Sequence, residues 1–247
     1  MSQKPHVAIV IPARLCSTRL PEKMLADLAG KPLVVHTYQQ ALKAKLADEV
    51  VIATDDRKIT DAVLPFGCKV ILSPKTLKTG SDRVAFVAKS LRADVIVNLQ
   101  GDEPLIHPKM IDQAIAPLLQ KHSPACATLI KPFQEHALLS NPSVVKVVVD
   151  RHGFALYFSR SAIPYHRHQS ERPIYYKHIG IYAYQRETLL AFRRLRPSPL
   201  EKLEGLEQLR LLENGYRIYC VRTTMESQAV DTPEDLEAVR QHLQQKL

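Results

Sequence analysis

The first half of the chain alternates between two hydrophobic periods. Near-continuous apolar runs, "VAIVI" (7–11), "EVVIATD" (49–55), "KVILS" (69–73) and "DVIVNLQ" (94–100), read as strands covered on both faces. Between them, helical spacing predicts helices near 32–46, 56–66, 81–91 and 108–121. Alternating β and α elements imply right-handed crossovers. The expected fold is therefore α/β, a doubly wound, mostly parallel, Rossmann-like sheet. The second half is less regular. It offers strands at 124–130, 144–150, 154–160, 178–184 and 217–222, a polar, proline-broken loop at 161–177, and helices near 186–195, 200–213 and 233–245.

In such a sheet, ligands bind outside the carboxyl ends of the strands. After the first strand comes "IPARLCSTRLPEKML" (11–25), where Arg14, Arg19 and Lys23 meet no carboxylate before Glu22. The loop has neither a P-loop nor a G-x-G-x-x-G pattern. Anion binding would rest on side-chain cations, and three of them suit a triphosphate, whose oxygens Arg grips bidentately. The alternative is a loop of solvated charges. The fourth strand ends "NLQGDEP" (98–104), where Gly101 permits a tight bend and Asp102 and Glu103 emerge at the crevice. A carboxylate facing polyphosphate needs a bridging cation, which points to Mg²⁺; an ordinary turn is the other reading.

In "VDTPEDL" (230–236), Thr232 suits an N-cap, Pro233 the first helical position and Asp235 the capping box. Asp231 is left over, either a second metal ligand or a further partner of the helix dipole. In "TGSDR" (79–83), Arg83 near a helix start opposes the dipole, so it is solvated or faces an anion. On the 178–184 strand, period two puts His178, Gly180, Tyr182 and Tyr184 on one face. Glu207 and Gln208 interrupt a leucine stripe, with a Glu207–Arg210 pair at i+3 as the structural reading.

Composition adjusts this picture only slightly. A chain of 247 residues, 45% hydrophobic and 24% charged, suits either one large α/β domain or a domain with a lobe. No apolar run approaches the ~20 residues of a membrane span, and "VAIVI" is too short for a signal peptide, so a cytoplasmic protein is expected. Four scattered cysteines suggest free thiols rather than zinc or disulfides. The formal net charge of +9 implies an anionic partner. The cations are spread without interleaved aromatics, which favours a small anion over nucleic acid.

Nine motifs in order carry a resemblance: those above with "ATDD" (53–56), "VVKVVVDRHGFALYFSR" (144–160), "IPY" (163–165), "YKHIGIYAY" (176–184) and "SPLEKLEGLEQLRLLENG" (198–215). Together the chain resembles the 3-deoxy-manno-octulosonate (Kdo) cytidylyltransferase family, the CMP-Kdo synthetases of lipopolysaccharide assembly, over nearly its whole length. The resemblance implies a nucleotidyltransferase-type domain in which residues about 124–200 form a small sugar-binding and dimerisation lobe. It implies CTP and Kdo as substrates, CMP-Kdo and pyrophosphate as products, Mg²⁺ as cofactor, and a cytoplasmic homodimer. It places Arg14, Arg19 and Lys23 on the CTP phosphates and Asp102 and Asp231 on Mg²⁺. Ala13, Thr54, Asp55 and Ser81 would lie near the nucleotide. Arg83, Gln100, His178, Tyr182, Glu207 and Gln208 would surround the sugar acid, with Arg83 on its carboxylate. Three positions depart from the family pattern: Glu22 and Ala229 where Gly is common, and Met24 where Pro is common.

Overall fold

The computed structural model describes residues 4–17, 20–77, 79–167 and 173–244. The chain divides into two compact units, Met1–Asp112 with Glu226–Leu247, and Gln113–Met225. The predicted lobe, 124–200, lies within the second.

The first unit runs β1 (Val7–Ala13), β2 (Asp27–Leu28), β3 (Lys31–Pro32), α1 (Leu33–Ala41), β4 (Glu49–Thr54), α2 (Arg57–Val63), β5 (Val70–Leu72), α3 (Gly80–Ala88), β6 (Val95–Leu99) and the start of α4 (Pro108–Ile115). Its four long strands lie in the order β5-β4-β1-β6, all parallel; Ala8 pairs with Glu49, Val7 with Val95 and Ile52 with Val70. Every residue of β1 and β6 is buried, as expected of strands covered on both faces. Because the strands run the same way, Ala13, Thr54, Leu72 and Leu99 all end at one edge. The loops that follow share that edge.

Helix starts follow the capping chemistry. Asp56 accepts from the Lys58 amide at 2.8 Å to open α2, and Thr79 and Asp82 form a reciprocal box at α3. The β2–β3 hairpin was not legible in the sequence. Its two turn residues, Ala29 and Gly30, both have positive φ (51° and 80°), the two-residue turn that Asn-Gly usually announces.

The second unit contains β7 (Cys126–Phe133), α5 (His136–Ser140), β8 (Lys146–Val149), β9 (Ala155–Ser159), β10 (Tyr175–Gln185), α6 (Arg186–Phe192), α7 (Pro199–Glu204), α8 (Leu209–Glu213) and β11 (Ile218–Arg222). β11 is parallel to β7, whereas β10 runs antiparallel to β7 and β8, and β8–β9 is a hairpin. Two boundaries differ from expectation. β10 starts at Tyr175, inside the predicted loop, because β7 extends to Phe133 and supplies it a partner. The single helix expected over 200–213 is two, since Gly205 adopts φ 62° and ends α7. The last element, α9 (Pro233–Gln244), belongs to the first unit.

Candidate active site

At the carboxyl edge of the first unit, two carboxylates meet one lysine. Lys23 Nζ donates to Asp102 Oδ2 at 2.5 Å and to Asp231 Oδ1 at 2.9 Å. These residues are far apart in sequence, and each is positioned by different local chemistry.

Lys23 sits on a short 3-10 turn, Lys23–Leu25, that the left-handed Glu22 (φ 52°) introduces. A positive φ favours Gly, which the resemblance leads one to expect at this position. Here a side chain occupies it, and its carboxylate accepts from Lys58 Nζ at 2.5 and 2.6 Å.

Asp102 follows Gly101, whose missing side chain is required by close approach rather than by φ. A Cβ there would lie 2.9 Å from Met24 Sδ and 3.1 Å from the Pro12 carbonyl. The Gly101 carbonyl is pinned by the buried Thr37 hydroxyl of α1 at 2.9 Å.

Asp231 is brought alongside by its neighbour. Val230 is fully buried with Leu28, Leu33 and Val239, and its amide donates to the Asp102 carbonyl at 2.9 Å. Thr232 and Asp235 form the reciprocal cap of α9, which leaves the Asp231 carboxylate for Lys23. Lys23 is only 7% exposed. Burial pulls its pKa down, but Asp102 and, more weakly, Asp231 outweigh that, so the ammonium is held above its ordinary pKa.

A cleft of about 340 Å³ contains this trio, with Pro12, Arg14, Ser17, Gly80 and Gln100 among its walls. A second cleft of about 450 Å³ is lined by Arg14, Leu15, Cys16, Asp55, Asp56, Lys75, Thr76 and Leu77. Arg14 borders both. Among the described residues its guanidinium makes a long 3.5 Å approach to the Leu77 carbonyl, and its buried Nε has no partner there. A guanidinium so weakly engaged is suited to an incoming anion. Arg19 lies outside the described residues.

The other predicted nucleotide neighbours divide by burial. Ala13 and Thr54 are fully buried at their strand ends, so they can offer a ligand little beyond backbone. The Thr54 hydroxyl accepts from the Asp56 amide at 3.2 Å, and its carbonyl accepts from the Ser73 amide and hydroxyl at 2.8 and 3.1 Å. Ser81 is buried beside Asn98 at 3.5 Å, and Gln100 approaches Asn98 Oδ1 at the same distance.

Arg83 differs most from its expected setting. It is wholly buried, donating to Asp55 Oδ2 at 2.7 Å and to the Ser73 hydroxyl. The anion it faces is a protein carboxylate. Its buried Nε has no partner among the described residues, so it is a bidentate grip on a sugar carboxylate through Nε and NH2 that would require the Asp55 pair to open.

In the second unit, His178 and Tyr182 do share a face, with ring centroids 5.2 Å apart, and Tyr184 stacks on Tyr182 at 5.7 Å. His178 Nε2 meets the Thr128 hydroxyl at 3.0 Å, and Phe158 packs edge-on against the ring. Burial pushes the His178 pKa down to about 3, so the ring is neutral at neutral pH. Tyr182 Oη, Glu207 Oε2 and Gln208 Nε2 are all buried without a partner among the described residues. The expected Glu207–Arg210 pair is replaced by Arg210 with Glu201, Nε to Oε2 at 2.7 Å. Buried polar groups with no protein partner point to a ligand rich in hydroxyls.

The four cysteines are free, with Cys16 exposed and Cys68, Cys126 and Cys220 buried. Among the described residues, no group of three or more His, Cys, Asp or Glu could hold a metal, so any ion there would rest on Asp102 and Asp231.

A mostly parallel α/β sheet whose edge gathers lysine, arginine and two carboxylates is of the nucleotidyltransferase type. The family model for "Cytidylyltransferase" matches residues 8–218. A 3-deoxy-manno-octulosonate cytidylyltransferase from Chloroherpeton thalassium is 56% identical over 97% of this chain and 98% of its own length. Another, from Chlorobium phaeobacteroides, is 51% identical over 98% of both. A solved CMP:2-keto-3-deoxy-manno-octonic acid synthetase complexed with CTP superposes with a TM-score of 0.93 at 42% identity, covering 98% of this chain and all of that one. The chain belongs to the 3-deoxy-manno-octulosonate cytidylyltransferase family.

Proposed function

We propose that the protein activates an acidic sugar: CTP and 3-deoxy-D-manno-octulosonate give CMP-Kdo and pyrophosphate, feeding lipopolysaccharide assembly. The observation that carries this is the convergence of Asp102 and Asp231 on one cation, beside Arg14, at the carboxyl edge of the parallel sheet. Membership of the family supplies the substrates.

Two carboxylates that already share an ammonium present the hard oxygen donors that Mg²⁺ prefers, so Asp102 and Asp231 would be the residues that hold it. When bound, Mg²⁺ supplies charge neutralisation at the phosphates and lowers the pKa of the attacking hydroxyl. Arg14 and Lys23 bind the triphosphate and meet the charge that grows on the departing pyrophosphate. The anomeric oxygen forms its bond to the α-phosphorus as the bond to pyrophosphate breaks, and the hydroxyl proton is released. Positioning and electrostatics suffice for such a transfer, so no enzyme-bound nucleotide is invoked. In the second unit, Tyr182, Glu207 and Gln208 hold sugar hydroxyls beside neutral His178. The same reading makes the enzyme a cytoplasmic homodimer. Among the described residues, no helix is long and apolar enough to cross a membrane.

Pyrophosphate release tests the proposal. CTP with Kdo and Mg²⁺ gives stoichiometric CMP-Kdo, while ATP, GTP and UTP do not replace CTP. Absence of release with Kdo under these conditions overturns it.

A further inference from the structure

A fully buried guanidinium is stable only when its charge is answered. Arg83, on the first turn of α3, is 0% exposed and is answered by two groups. Its NH2 donates to Asp55 Oδ2 at 2.7 Å, and its NH1 donates to the Ser73 hydroxyl. Ser73 is itself tied to the end of β4, through two hydrogen bonds to the Thr54 carbonyl. The guanidinium therefore spans the residues after β4 and after β5, and it fixes the Asp55 carboxylate relative to both. Asp55 is a wall of the 450 Å³ cleft that Arg14 shares with the site of Lys23.

We infer that Arg83 is a positioning residue of the nucleotide pocket, which acts by holding Asp55, and that it does not touch the sugar acid. A carboxylate only accepts hydrogen bonds. Held in that wall, Asp55 accepts from a donor of the nucleoside, either the exocyclic amine of cytosine or a ribose hydroxyl. Uracil presents a carbonyl where cytosine has the amine, and a fixed carboxylate would repel it. Where the amine is the donor, preference for CTP over UTP depends on a buried arginine that the nucleotide never meets; where a ribose hydroxyl is the donor, preference for CTP over dCTP does. The inference rests on CTP being the nucleotide and is independent of which sugar is activated.

Calorimetric binding of CTP without sugar, with KM values for CTP and Kdo, tests the idea. Arg83→Met weakens CTP binding by roughly tenfold or more, the scale of a charged hydrogen bond, and leaves KM for Kdo within about twofold. Arg83→Lys keeps the charge but not the fork, and recovers part of that loss. Asp55→Ala produces a similar defect, and the double variant with Arg83→Met is no worse than either single one. In Asp55→Ala, preference for CTP over UTP collapses if the amine is read, and preference for CTP over dCTP collapses if a ribose hydroxyl is read. Should Arg83→Met not fold, Ser73→Ala and Arg83→Lys carry the same comparison. Unchanged CTP affinity with a raised KM for Kdo overturns the inference, as do additive losses in the double variant. A wild-type protein that binds CTP but releases no pyrophosphate with Kdo counts against the proposed sugar alone.

Discussion

Lys23, Asp102 and Asp231 show how much one residue's setting determines its chemistry. Removing the ammonium leaves two carboxylates facing each other. Breaking a fully buried ion pair costs roughly 3–5 kcal/mol. Asp231 is 41% exposed on its side chain, so solvent screens part of the repulsion and a loss of about 2 kcal/mol is expected for Lys23→Met. A divalent cation can restore the missing charge, so millimolar Mg²⁺ raises the thermal midpoint of Lys23→Met more than that of the wild type. Equal shifts in both proteins would argue that the two acids do not share an ion. Asp102→Ala removes one of the two carboxylates that meet Lys23, and its kcat falls by roughly a hundredfold or more, as when a single electrostatic stabiliser is lost. Near-normal turnover in saturating Mg²⁺ would remove Asp102 from the chemistry. The cap chemistry of Thr232 and Asp235 made Asp231 conspicuous in the sequence, because local structure left it unexplained. Arg83 was conspicuous too, as a cation at the wrong end of a helix. No sequence pattern, however, shows that its anion is Asp55, 28 residues away.

At the scale of elements, the site depends on how closely β1 and the residues after β6 approach. Gly101 is where they touch, and replacing it by Ala drives a Cβ to 2.9 Å from Met24 Sδ and 3.1 Å from the Pro12 carbonyl. The thioether can swing away, but Pro12 belongs to a fully buried strand and cannot. Gly101→Ala is therefore expected to cost about 1–3 kcal/mol in chemical denaturation and to lower kcat by displacing the adjacent Asp102. Adding Met24→Ala relieves the sulfur contact only, so part of both defects persists; complete recovery would show that the Pro12 contact is immaterial. The parallel strands, α2, α3 and α9 were legible because apolar runs and caps are local signals. The β2–β3 hairpin was hidden because Ala29 is an unusual residue for positive φ. The break at Gly205 was hidden because the leucine stripe runs through it.

Over the whole molecule, the net charge of +9 correctly suggested an anionic partner, yet it could not say which cations matter. Only the fold distinguishes Lys23, buried between acids, from the many solvated lysines. Titration of the folded protein provides the remaining test, through His178. Its ring is enclosed by Phe158, Tyr182 and the Thr128 hydroxyl, with no carboxylate among these contacts, and its folded pKa is about 3 against an ordinary 6.5. The unfolded chain therefore binds a proton at this residue near pH 6.5, whereas the folded chain does not until near pH 3. Between those values the unfolded state holds more protons, so this group makes stability fall as pH falls, and its contribution is complete only above about pH 6.5. His178→Gln removes that dependence while keeping a polar group for Thr128. The thermal midpoint of the wild type should drop more steeply than that of the variant between pH 7.5 and pH 4.5, over the window given by linkage, roughly one proton's worth. The other histidines and the carboxylates contribute equally to both proteins, so the difference in slope isolates His178. Parallel curves would mean that the ring is protonated in the folded state, and the β10 face shared by His178 and Tyr182 would then carry a charge.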